Sequence, residues 1–265
     1  MLVDSHCHID FPDYDGKMDD LRLAMQEHGV SHALCVSVNL PDWPRVMALA
    51  ERYDNFFASV GVHPDHAEGE SLDEDALLQR AAHPKVVAIG ETGLDYFRLT
   101  GDLDWQRERF RTHIRAARRC GKPLIIHTRS AAEDTLRIMR EEGAEQVGGV
   151  MHCFTESQEV AQASVEMGFM ISFSGIVTFR NAEPLRQVAK WVPADSLLVE
   201  TDAPYLAPVP MRGKVNQPAW VRHVAECIAQ VRGVALQQLA AETSANFSRL
   251  FRVDLQPGSN SVPSF

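Results

Sequence analysis

The first eleven residues, MLVDSHCHIDF (Met1–Phe11), decide how the rest of the chain is read. Residues 2–9, apolar and β-branched at their start, read as a strand. Residues two apart in a strand project from one face, so His6 and His8 point the same way and Cys7 points to the other side. Two imidazoles on one face near a strand end can grip a metal ion, or can be ordinary polar residues at a strand terminus. The dipeptide spacing alone leaves both open. A doubly wound open sheet usually carries a glycine-rich phosphate loop after its first strand, and here HCHIDF takes that place.

Working outward, runs of the same kind recur: HALCVSV (32–38), FFASVGVHP (56–64), VVAIGETGLD (86–95), PLIIHTR (123–129), GGVMHCF (148–154), FMISFSG (169–175) and LLVETDAP (197–204). Between them lie stretches rich in helix formers, such as MDDLRLAMQEH (18–28), DLDWQRERFRTHIRAARRC (102–120) and SQEVAQASVEM (157–167). Gly29, Gly121 with Pro123, and Gly168 follow these three as stop signals. Strands apolar on both faces that alternate with helices imply a parallel sheet. Eight such units predict an α/β fold, a single (β/α)8 TIM barrel, over residues 1–251. Residues 252–265, ending in QPGSNSVPSF, read as a C-terminal extension.

The 265 residues carry a formal net charge of -10, which argues against a protein that coats duplex nucleic acid through a broad basic surface. It does not exclude an enzyme acting on nucleic acid, where bound cations and local Arg or Lys supply positive potential. Five cysteines without a CxxC pair are no disulfide framework and suit a reducing compartment. The start has no basic segment followed by an apolar core, and no apolar run is long enough to span a bilayer. The expectation is a soluble, cytoplasmic protein with no membrane contact and no obligate protein partner.

In such a barrel, active-site groups sit at the C-terminal ends of the strands. Those ends hold His6 and His8, His63, Glu91, His127, His152 and Asp202. Five of the eleven histidines thus fall at one relative place. Imidazole and carboxylate suit Zn²⁺, Mn²⁺ and related divalent ions. The set exceeds what one hydrolytic ion needs, and two ions about 3.5–4 Å apart would use it to activate a shared water. Cys7 and Cys153 are expected to face the helices as small core residues. His28, His32, His83, His113 and His223 are assigned to helices or connections, as surface or packing residues.

The segments DSHCHID, GVHP, IGETGLDY, IIHTR, MHCF and ETDAPYLAP, in this order, resemble the TatD-related metal-dependent hydrolases of the amidohydrolase-like superfamily. The likeness runs from the first strand to about Leu250. It implies a TIM-barrel phosphoesterase with two divalent metal ions (Zn, Mn or Mg), many of whose relatives act as deoxyribonucleases on single-stranded DNA ends. Carried over by position, His6, His8 and Asp202 would hold one ion, His127 and His152 the second, with Glu91 between them. Many amidohydrolase relatives use a carbamylated lysine there, whereas the TatD-like group presents a glutamate.

The mechanism expected is attack of a metal-activated water on phosphorus, with Asp202 as general base and Glu91 the second catalytic carboxylate. His63, Arg129 and Arg180, with Lys214 and Asn216 of the RGKVNQP loop, are candidate phosphate-binding residues. Glu200 is expected to share the side of Asp202, as a supporting or catalytic carboxylate. A metal-dependent ester or amide hydrolase acting on a small metabolite or an aminoacylated nucleic acid uses the same ligands and stays open. A metal-binding protein without activity is the remaining alternative.

Overall fold

A computed structural model describes residues 1–66, 72–97 and 99–255. Eight strands follow one another as β1 (Leu2–Cys7), β2 (Val30–Cys35), β3 (Phe56–Val60), β4 (Val86–Asp95), β5 (Leu124–Arg129), β6 (Gly149–Met151), β7 (Phe169–Phe173) and β8 (Leu197–Val199). They pair in parallel, in chain order. A bridge between Cys7 and Ala203 brings the β8 end back to β1, where the Asp202 and His8 amides donate to the carbonyls of His6 and Ala203 at 2.9 and 2.8 Å. The helices between and after them are α1 (Met18–Glu27), α2 (Trp43–Arg52), α3 (Glu74–Ala81), α4 (Asp104–Cys120), α5 (Ala132–Glu141), α6 (Gln158–Glu166), α7 (Glu183–Trp191), α8 (Val221–Arg232) and α9 (Leu236–Phe251). This is the eight-fold α/β barrel that the strand rhythm predicts, and Gly29, Gly121 and Gly168 end their helices at positive φ.

Two apolar layers hold it together. One lies between sheet and helices. The other fills the barrel with one or more residues from every strand, among them Val3, Leu34, Phe57, Val87, Ile125, Val150, Met170 and Leu198. Phe247 and Phe251 of α9 belong to this inner layer, and Val253 and Leu255 pack on it. Further along the strands the interior turns polar, with Ser5 Oγ 3.2 Å from Ser172 Oγ and Ser59 Oγ bonded to the Gly90 carbonyl at 2.6 Å. The histidines and carboxylates come next. Residues 256–265 of the expected extension lie outside the described residues.

Two register shifts place these groups. Between Asp4 and Cys7, β1 advances three residues while β2 advances two, from Ala33 to Cys35. Val3 therefore faces the inner layer and Cys7 the outer one, although plain alternation would give them one face. The strand ends at Cys7, not Ile9. The second shift falls between Ile89 and Thr92 of β4 and spans Glu91. Just beyond it, Gly93 has φ +131°, and a Cβ there would lie 1.9 Å from the His127 carbonyl oxygen. Only glycine lets β4 approach so near the strand that carries His127.

Candidate metal centre

Glu91 is buried, and its two oxygens divide the histidines between them. Oε2 lies 3.2 Å from His6 Nε2 and 3.7 Å from His8 Nε2. Oε1 lies 2.8 Å from His152 Nε2, 3.3 Å from His127 Nδ1 and 3.3 Å from His63 Nε2. Asp202 Oδ1 completes the first side, 3.3 Å from His8 Nε2 and 3.7 Å from His6 Nε2. Three overlapping groups bring ligand atoms within 4.8 Å of one another: His6 with His152 and Asp202, His6 with His8 and Glu91, and His63 with Glu91 and His127.

The outer nitrogens of these rings settle their tautomers. His8 Nδ1 is 2.9 Å from the Val36 carbonyl, His127 Nε2 is 3.1 Å from Asp95 Oδ2, and His152 Nδ1 is 3.2 Å from Glu200 Oε1. His63 Nδ1 is 2.5 Å from Asp65 Oδ1. For His8, His127 and His152 that partner is an acceptor, so in the neutral rings the proton sits on the outer nitrogen and the lone pair points inward, whereas His63 Nδ1 also receives the Asp65 amide at 3.2 Å. Nε2 of His6 and Nε2 of His8 meet at one spot, 3.2 Å apart, while His6 Nδ1 is buried without a hydrogen-bond partner. His152 Nε2 is buried and makes no hydrogen bond, despite the closeness of Glu91. Lone pairs converging on a carboxylate repel unless a cation lies among them, so the donor set fits a divalent metal.

Without a cation the same field draws protons. Burial opposes charge on Glu91, but His152, His63 and His6 outweigh it and hold the carboxyl well below its usual range. Burial also opposes charge on His152, yet Glu91 and Glu200 raise it well above an ordinary imidazole. His63 is pushed up to about 10, where Glu91 and Asp65 overcome desolvation. His6 is lowered by burial and by neighbouring His152, whose ring stacks on it with centroids 3.9 Å apart. Asp202 stays low because His8, His6 and His152 offset its burial.

The structure thus brings His6, His8, Glu91, His127, His152 and Asp202 into one cluster. His63, expected among the phosphate-binding groups, shares the Glu91 oxygen of His127 and His152. Arg129 lies at the mouth with its guanidinium over the Phe97 ring. Arg180 and Lys214 are exposed loop residues whose side chains bond no described residue. Asn216 is corrected: it is fully buried, its amide donates to the Thr201 and Tyr205 carbonyls at 2.9 and 2.7 Å, and its Oδ1 accepts from the Gln217 amide. Those bonds tie down the loop after β8 and leave the side chain no free donor for a phosphate.

Two other placements are corrected. His32 lies within β2, stacked on Phe57, and not in a connection. Cys153 does not face the helices, because β6 ends at Met151 and alternation stops there. Its φ is +43° and its thiol lies 3.2 Å from Ser174 Oγ. Burial, with Asp202 and Glu200 nearby, pushes that thiol well above its usual range. Cys7 does lie in the outer core, as expected.

Sequence reasoning missed Asp95 and Asp65, which orient His127 and His63, whereas one of the expected packing residues also bears on the site, namely His113. The last is a fully buried α4 residue whose Nε2 accepts from the Val62 amide at 3.0 Å while Nδ1 meets the Arg109 carbonyl at 2.8 Å. It fixes the backbone beside His63. The alternation Glu91, Gly93, Asp95 carried a signal for Asp95, since residues two apart share a strand face.

The family model described as TatD related DNase matches residues 3–252. The metal-dependent hydrolase YcfH of Escherichia coli is 50% identical over 256 residues, 96% of each chain. The 3'-5' ssDNA/RNA exonuclease TatD of Escherichia fergusonii is 35% identical, covering 89% of this chain and 93% of that one. Among solved structures, the TatD homolog YJJV of Escherichia coli superposes with a TM-score of 0.87 at 29% identity, over 96% of this chain and 98% of its own. No helix among the described residues is long and apolar enough to cross a membrane. With a histidine–carboxylate cluster at the barrel mouth and a family match along nearly its whole length, the chain belongs to the TatD related DNase family of metal-dependent hydrolases.

Proposed function

We propose that this hydrolase is a phosphodiesterase that shortens single-stranded DNA from an end. The carrying observation is the division of five histidines between the two oxygens of Glu91. That arrangement suits a centre for two divalent cations, in which Glu91 would serve both. His6, His8 and Asp202 would hold one, and His127 and His152 the other, with His63 close to the second. Bound there, divalent ions polarise a phosphoryl oxygen and make water acidic. The 35% identity to a protein named as a single-strand exonuclease supports the choice of substrate.

The residues then have separate tasks. Asp202 keeps an ionised carboxylate at the mouth and takes the proton of the attacking water. Glu91 fixes the five rings around one point. Glu200 and Asp95 hold His152 and His127 from behind, so that in the neutral rings the outer nitrogen carries the proton and the inner one faces the centre. Arg129 and the exposed Arg180 and Lys214 meet the phosphates of the strand.

The test is end-labelled single-stranded DNA incubated with metal-loaded protein, a chelated control and Glu91→Ala. Shortening that needs both metal and Glu91 is expected, and the product ladder gives its direction. An uncut strand with metal bound would sink the reading and turn attention to carboxylic esters and amides.

A further inference from the structure

The barrel mouth carries apolar groups that the proposed chemistry does not use. Among the described residues the large exposed hydrophobic side chains are Met1, Leu23, Phe97, Tyr205, Val209 and Val215. Four of these six follow strands at the cluster's end of the barrel, one after β4 and three after β8. Two of the four, Phe97 and Tyr205, are aromatic, and an exposed aromatic face beside a site can stack on a ligand.

Phe97 is 61% exposed and lies two residues past Asp95, the partner of His127. Arg129, two residues past His127, lays its guanidinium 3.8 Å from the Phe97 ring centroid. Tyr205 is 56% exposed and lies three residues past Asp202. Its ring stands edge-on to Phe11 at 6.3 Å, and Phe11 stacks on His8 at 5.1 Å. In an eight-stranded barrel paired in chain order, β4 and β8 lie on opposite sides. The two aromatic groups therefore flank the cluster from opposite sides.

We propose that Phe97 and Tyr205 are base-stacking platforms that receive the nucleobases on the two sides of the phosphodiester to be cleaved, an inference that rests on the phosphodiesterase reading above. An aromatic face accepts any base, which suits an enzyme working along a strand of arbitrary sequence. Arg129 adds a planar cation beside the base on the Phe97 side. The charge balance points the same way. A chain with net charge -10 cannot draw a polyanion to it by a broad basic field, so stacking has to supply affinity that charge does not.

The probe is a fluorescent thymidine hexanucleotide, compared with the same strand carrying abasic nucleotides on both sides of the scissile bond. Dissociation constants are read by anisotropy in chelator, where the strand is not cut, and KM and kcat are read with Mn²⁺. Phe97→Ala and Tyr205→Ala each weaken binding of the intact strand by roughly 5- to 100-fold. Phe97→Trp restores it, and the variants converge with the unaltered protein on the abasic strand. Either alanine variant binding the intact strand as tightly as the unaltered protein overturns the proposal, as does an equal loss on the abasic strand. If the metal-loaded protein cuts no strand, the phosphodiesterase reading falls by itself. Anisotropy then still decides the platforms: the same pattern of losses upholds them, and no binding or no difference removes them.

Discussion

His152 Nε2 stands 2.8 Å from Glu91 Oε1, the shortest of the contacts that Glu91 makes with the five histidines, between two buried side chains. Glu91→Gln keeps the shape of this centre and removes the charge that the histidines surround. Metal retained after dialysis, measured by elemental analysis, is expected to drop below that of the unaltered protein. Turnover should fall by more than the roughly 10- to 100-fold usual for losing an outer partner of a ligand. Normal metal content with normal turnover would remove Glu91 from the proposed metal-holding set.

Asp95 holds His127 from the outside, at 3.1 Å. Asp95→Asn turns an anion that fixes the ring's proton into a neutral amide. Metal affinity measured against a competing chelator is expected to weaken roughly 10- to 100-fold. An unchanged affinity would mean that the ring is oriented by something else.

Asn216 ties the loop after β8 to Thr201 and Tyr205. Asn216→Ala leaves the buried Thr201 carbonyl and the partly buried Tyr205 carbonyl with one partner fewer each. A loss of about 2–3 kcal/mol is expected in urea unfolding. A change in KM with unaltered stability would instead return Asn216 to the phosphate-binding set.

His113 supplies the pH dependence. Burial lowers its imidazole to about 4, against about 6.5 in the unfolded chain. The unfolded state therefore takes up the proton first. The stability His113 contributes is complete above pH 6.5 and is lost as pH falls toward 4, by about 3 kcal/mol in all. Urea unfolding of the unaltered protein and of His113→Gln between pH 7 and pH 4 should show a shallower fall in the variant. Parallel curves would place the acid sensitivity elsewhere.

The sequence by itself determined the barrel, because eight apolar runs alternating with helix formers bury both faces of a parallel sheet and HCHIDF stands where a doubly wound sheet would carry its glycine-rich loop. It also located His6, His8, Glu91, His127, His152 and Asp202, since a strand's end in that fold is where polar groups converge. Glu200 was visible through its spacing of two from Asp202. Only the tertiary structure decided which atoms meet. The one-residue shifts at Asp4–Cys7 and Ile89–Thr92 are set by pairing between strands, and strand alternation alone does not reveal them. Asp95 and Asp65 look like ordinary loop or strand-end acids until their rings arrive beside them. Asn216 and Lys214, two residues apart in one polar loop, look alike as phosphate ligands until closure buries the first and leaves the second in water. Local periodicity fixes what a residue's face is; long-range packing fixes what that face touches.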